Sequence, residues 1–290
     1  MTLRARKPEV KDARLKTLIY ADKGVGKTHL CCSFPETYYI DTEGLEDYPH
    51  LVGMLLTNGG DLIYLTELSE IIKEVQELLS TKHQYKTLVI DSISFPYAWL
   101  AQSETDRLVK KAPHTEGTEF GANLAKVKRL TFQLGILLSR LDMNVIVIAH
   151  EKTKFADGKD MGKTFDINDK LAYSLGAVWN LRLQGKTRKL FVEKSRYTEL
   201  KTGDLLDFDE GYNIIKSLFG ESIFLREVHN EELISSDQLK ELTRLIDLLH
   251  ISDEKIAKML TNAKATTMEE ISSSYAKKVI EKLILNLNGA

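Results

Sequence analysis

The chain has 290 residues, 43% hydrophobic and 28% charged, with a formal net charge of −2. That length suits one large α/β domain plus a small appendage, and the near-neutral balance excludes a globally basic nucleic-acid binder, so any such contact must come from a local patch. No apolar run approaches the roughly 20 residues that cross a bilayer, the basic start of the chain lacks the apolar core of a signal peptide, and the adjacent Cys31 and Cys32 are poorly placed to bridge each other, so a cytoplasmic location is expected.

Residues 1–16 are mostly polar and read as a short arm. A strand is predicted at 17–20, followed by Ala21-Asp22-Lys23-Gly24-Val25-Gly26-Lys27-Thr28 and then a helix opening with His29. Strand, glycine loop and helix form the context of a phosphate-binding loop. Gly24 and Gly26 allow backbone N–H groups to approach phosphate oxygens, Lys27 can reach the β- and γ-phosphates, and the Thr28 hydroxyl can hold Mg²⁺. Ala21 stands where the strict pattern has Gly. The residues 22–29 are the expected nucleotide contacts.

The next strand, 37–41, ends in Asp41-Thr42-Glu43. Glu43 is the candidate to orient an attacking water, although Asp41 or Glu43 could instead cap the next turn. A strand at 61–65 and a helix at 67–80 follow. The strand 86–90 ends in Asp91-Ser92, and Asp91 is placed to share the metal with Thr28. The polar stretch 101–121 reads as a loop, and apolar residues at helical spacing predict a helix over 122–141. The strand 144–149 ends in His150, a candidate nucleotide sensor, and a second polar loop is expected at 151–170. Strands at 177–183 and 188–193 close the core. Lys194 and Arg196 end the last one, within a basic segment that also holds Arg182, Lys186, Arg188, Lys189 and Lys201. That segment is either a solvated hairpin or a source of cations for a neighbouring subunit's γ-phosphate.

From about residue 229 the composition shifts. Ser235-Ser236-Asp237-Gln238 reads as a helix start, with further helices near 256–260 and 275–287, so 231–290 is expected to be a small helical domain after a core of 1–228. The alternation of strands and helices before it predicts an α/β, doubly wound, mainly parallel sheet with its ligand at the carboxyl ends of the strands.

This order of motifs resembles the RecA-like recombinase core: phosphate loop, Asp-x-Glu, Asp-Ser, strand-end sensor with a following loop, and a late Lys-x-Arg. It is similar in particular to short, phage-type RecA-like ATPases, some of which act in single-strand annealing. The resemblance spans about residues 15–225. It implies an ATP hydrolase that uses Mg²⁺, with Lys27 and Thr28 at the phosphates, Thr28 and Asp91 at the metal, Glu43 as the water-orienting base, and His150 (where RecA has Gln) as sensor. Lys194 and Arg196 would act in trans, in a homo-oligomeric ring or filament with composite active sites. It further implies single-stranded DNA as partner, bound by stretches 103–121 and 152–169, and a C-terminal domain that docks a single-strand-binding protein, in the cytoplasm of the host cell if the chain is phage-encoded. A different reading is a nucleotide-gated DNA- or partner-binding module with little hydrolysis. A monomeric P-loop kinase is disfavoured, because no lid with paired arginines is evident.

Overall fold

The computed structural model describes residues 14–156, 158–208 and 211–288. In chain order the core consists of β1 (Lys16–Ala21), α1 (Lys27–Cys32), β2 (Thr37–Asp41), α2 (Pro49–Thr57), β3 (Asp61–Tyr64), α3 (Leu68–Ser80), β4 (Thr87–Asp91), α4 (Ser94–Lys111) and α5 (Leu124–Arg140). It continues with β5 (Asn144–Ala156), β6 (Lys159–Phe165), α6 (Asp169–Ser174), β7 (Ala177–Gln184), β8 (Thr187–Ser195), β9 (Leu205–Asp207), α7 (Tyr212–Phe219) and α8 (Ser222–Leu225). Three further helices end the chain: α9 (Ser236–Leu248), α10 (Asp253–Ala263) and α11 (Ser273–Asn288).

The strand order is β3-β2-β4-β5-β1-β7-β8-β9, with β6 paired to the far end of β5. Strands β1 to β5 and β7 run parallel, whereas β8 runs antiparallel to β7 and β9 antiparallel to β8. This is the doubly wound, mainly parallel sheet expected from the sequence. One strand, β5, separates the phosphate-loop strand β1 from the Asp91 strand β4.

Both faces of the sheet are covered, which is why its strands are continuously apolar. Leu18, Leu88, Ile90, Val145 and Val147 meet Ile71, Val75, Leu134 and Leu138 on one side. The alternate residues Ile19, Val89, Ile146 and Ile148 meet Leu30, Cys31, Leu55 and Ile215 on the other. Helix α3 buries Leu68, Ile71, Ile72, Val75, Leu78 and Leu79 at the spacing that predicted it.

Three expectations need correction. The arm expected at 1–16 does not extend through Arg14–Lys16. Leu15 is fully buried, Arg14 bonds Asp142 at 2.9 Å, and Lys16 Nζ donates to the carbonyls of Leu138, Ser139 and Leu141 at the end of α5. Residues 1–13 lie outside the described residues. The stretch 101–121 is helix as far as Lys111. Its stability comes from side-chain pairs such as Gln102–Asp106 and Glu104–Arg107 rather than from an apolar stripe, so its periodicity is weak. The stretch 151–170 is a β5–β6 hairpin followed by α6, in which Glu151 pairs with Phe165 and Lys152 with Thr164. Both faces of that hairpin meet solvent along β6, which removes the alternation that would have marked it.

The C-terminal helices have their own apolar cluster, built around Leu242, Ile246, Ala265, Ile271 and Ala276. Ser235 and Gln238 form a capping box at the helix start expected there. Among the described residues, no helix is long and apolar enough to cross a membrane.

Candidate nucleotide-binding site

The carboxyl edge of the parallel strands carries a cleft of ≈ 820 Å³, within the range of ligand sites. It is lined by Ala21, Asp22, Lys23, Gly24, Gly26, Lys27, Thr28 and His29 from the loop after β1. Gly24 and Gly26 have φ of +75° and +108°, a region that side chains disfavour. Val25 contributes its backbone to the loop, while its side chain packs into the apolar core beneath. Lys27 folds back across the loop, donating to the carbonyls of Ala21 at 3.0 Å and Asp22 at 2.9 Å. Burial pushes its ammonium below the ordinary lysine range, against the pull of Asp91 and Glu43.

Asp91 sits at the end of β4, in register with Asp41 at the end of β2. Its Oδ2 accepts from Thr28 Oγ1 at 2.8 Å and from Tyr39 Oη at 2.6 Å. Burial raises this carboxyl to about 6, although both hydrogen bonds favour the ionised form. The two residues expected to share a metal thus lie in direct contact. Two hard oxygen donors at one point suit Mg²⁺, which commonly uses one or two protein ligands plus substrate phosphates. Among the described residues no group of three or more His, Cys, Asp or Glu could hold an ion alone.

Asp41 and Glu43 separate cleanly. Asp41 is the cap: its carboxylate accepts from the backbone N–H groups of Glu43, Gly44 and Leu45. Glu43 is thereby turned into the cleft, where its Oε1 meets His150 Nε2 at 2.7 Å and accepts from Ser92 Oγ. The His150 bond is the main reason the Glu43 carboxyl titrates below its ordinary range, and the same bond raises His150. Ser92 also lies 3.3 Å from His150 Nε2. The strand ends are clamped by Thr42, whose N–H donates to the Asp91 carbonyl at 2.8 Å and whose hydroxyl exchanges bonds with the Ser92 backbone.

His150 is fixed through its backbone. Its N–H donates to Ser94 Oγ at 2.9 Å, and its carbonyl accepts from Asp166 N at 2.8 Å, at the root of the β5–β6 hairpin. Next to it, Glu151 lines the cleft and accepts from Asn180 Nδ2 at 3.2 Å.

Lys194 and Arg196 do not reach this cleft in their own chain. β8 is antiparallel, so its end lies at the opposite edge of the sheet from the phosphate loop. Lys194 Nζ donates to the carbonyls of Ala172 and Leu175 at 2.7 and 2.8 Å, and Arg196 donates to the carbonyl of Tyr173 at 3.1 Å. The start of β8 reaches the loop instead, through Arg188. Sequence reasoning assigned no role to Tyr39, Thr42, Ser92 or Arg188. Ser92 carried a signal in the Asp-Ser pair, whereas Arg188 was one cation among many until strand direction was known.

The family model described as an AAA domain matches residues 13–207, which span the whole sheet and leave α7–α11 outside. Among solved structures, the chain is similar to the crystal structure of the RadB recombinase, at 21% identity and a TM-score of 0.42, over 67% of this chain and 86% of that one. No curated protein matches the chain.

Proposed function

The chain belongs to the AAA-domain family, and from that premise we propose that it is an ATP-binding, Mg²⁺-dependent ATPase of RecA-like type that acts on single-stranded DNA in phage-type recombination or annealing. The observation that carries this reading is the convergence of Lys27, Thr28, Asp91, Glu43 and His150 on one cleft.

Each residue has a task there. The loop amides and Lys27 hold the phosphates, with Lys27 trading its two carbonyl partners for phosphate oxygens. Thr28 and Asp91 would hold Mg²⁺, which would supply charge neutralisation on the phosphates. Glu43, kept ionised by His150, accepts a hydrogen bond from the attacking water and aligns it. Ser92 fixes the direction of that carboxylate. His150 senses any movement of Glu43 and passes it to the β5–β6 hairpin, whose root hangs on its carbonyl.

The hairpin bears Lys152, Lys154, Lys159 and Lys163, and the α4–α5 connection presents a fully exposed Phe120. Exposed cations and an exposed aromatic ring suit a single strand, whose phosphates need neutralising and whose bases stack. Lys194 and Arg196 would serve a neighbouring subunit's nucleotide in a ring or filament, and the helices beyond residue 231 would dock a single-strand-binding protein.

One observation favours a nucleotide-gated module with little hydrolysis: Glu43 is already engaged by both Ser92 and His150. Single-turnover hydrolysis of Mg·ATP separates the two readings. An ATPase hydrolyses it, single-stranded DNA raises the rate by more than about twofold, and Glu43→Gln binds ATP while losing about 10²–10⁴-fold in rate. Stimulation below that mark removes the DNA-linked role, and uptake without turnover leaves the gated module.

A further inference from the structure

We propose that Arg188 is a phosphate-binding residue supplied in cis, gripping the same triphosphate that Lys27 and the loop amides cradle. The inference deepens, and rests on, the reading of this cleft as a nucleotide site. β7 runs parallel to β1 and β8 returns antiparallel to β7, so β8 begins at the sheet edge that carries the phosphate loop. Arg188 is the second residue of β8, opposite Leu183. Its guanidinium carbon and Nε lie 3.5 Å from where a Cβ on Gly26 would stand, in van der Waals range of the loop. The side chain lines the cleft together with Lys27, Thr28 and Asp91.

Two of its basic neighbours on the hairpin have partners. Arg182 bonds Asn180 and lies over the Phe191 ring at 4.4 Å, and Lys189 pairs with Asp207. Arg188 has neither a carboxylate nor a carbonyl partner among the described residues. Nor does any carboxylate of the cleft pair with it: Asp22 accepts from the backbone N–H of Lys23 at 2.8 Å, and the others are engaged elsewhere. Asp41 caps backbone amides, Glu43 holds His150 and Ser92, Asp91 holds Thr28 and Tyr39, and Glu151 holds Asn180. A half-buried guanidinium beside a lysine and converging N–H groups calls for an anion from outside. Its planar fork matches phosphate oxygens, and the cleft is where such oxygens would lie.

Calorimetry of Mg·ATP and of inorganic tripolyphosphate, on wild type, Arg188→Ala and Arg188→Gln, tests the assignment. Both substitutions should weaken both ligands by about 10- to 100-fold, the size of a charged hydrogen bond. The Gln variant keeps the aliphatic stem and guards against a packing effect. If the wild type takes up no Mg·ATP, the reading of the cleft itself fails. If it does and the variants bind both ligands within about twofold of it, Arg188 is not a phosphate ligand. A loss confined to ATP, with tripolyphosphate unchanged, likewise overturns the assignment. Mixing Arg188→Ala with Lys27→Ala subunits should leave the affinity low, and recovery there would move Arg188 to a neighbour's site.

Discussion

At the scale of single residues, the Glu43–His150 contact ties the cleft to pH. His150 is raised chiefly by its hydrogen bond to Glu43, and Glu43 is lowered chiefly by the same bond, so the two shifts report one interaction. A histidine raised in the folded state contributes stability that is fully present below its ordinary value of about 6.5 and is lost as pH rises through the folded value. A carboxylate lowered in the folded state contributes stability that is present above its ordinary value of about 4.3 and is lost as pH falls through the folded value. The contact is therefore strongest in mildly acidic solution and weakens on the alkaline side as the imidazolium discharges. Thermal melting across pH 5 to 9, in wild type and His150→Ala, should show a gap in Tm that is widest near pH 6 and narrows towards pH 9. A gap that stays constant with pH would mean that His150 is neutral in this contact.

At the scale of elements, legibility followed burial. The parallel strands were readable because both faces are covered, and α3 and α5 because each presents one apolar stripe. The phosphate loop and the Asp91 strand were readable because their chemistry is local to a few consecutive residues. The β5–β6 hairpin and the second half of α4 were not, since both project polar side chains into solvent and carry no strong period. The reversal of β8 was left open between a hairpin and a source of cations, and it decides that Arg188 rather than Lys194 meets the loop of its own chain. The docking of the C-terminal helices was equally hidden, because it turns on scattered polar contacts, among them Arg140 with Glu231 and the Lys264 carbonyl, and one buried carboxylate. Glu270, 1% exposed, takes Gln76 Nε2 from α3 at 3.1 Å and Gln133 Nε2 from α5 on one oxygen, and the Thr266 N–H and hydroxyl on the other. Glu270→Ala should cost about 1–3 kcal/mol by stranding those donors, with Glu270→Gln costing less. Urea unfolding measures this, and an unchanged midpoint for the Ala variant would show that the bonds do not hold the two parts together.

At the scale of the whole molecule, the polarity of the sheet separates two sets of groups that hydrolysis in a composite site would need together. The phosphate loop lies at the carboxyl edge. Arg196 N donates to the Gly176 carbonyl, and Gly176 N donates to the Lys16 carbonyl, so Arg196 stands level with the start of β1. From there to the loop is roughly 17 Å at ~3.3 Å per residue. Within one chain the gap cannot close, but a head-to-tail contact places one subunit's amino edge on the next subunit's carboxyl edge. Lys194, held by α6 carbonyls and lowered by burial and by Arg196, would then brace the exposed arginine. Glu43→Gln and Arg196→Ala subunits are each expected to be inactive alone. Mixed in equal amounts and allowed to assemble, roughly a quarter of interfaces should pair an intact Glu43 with a neighbour's intact Arg196, and ATP hydrolysis should recover in that proportion. An Arg196→Ala variant that hydrolyses ATP at the wild-type rate on its own would instead place the catalytic cations within a single chain, with Arg188 as the cation on which turnover depends.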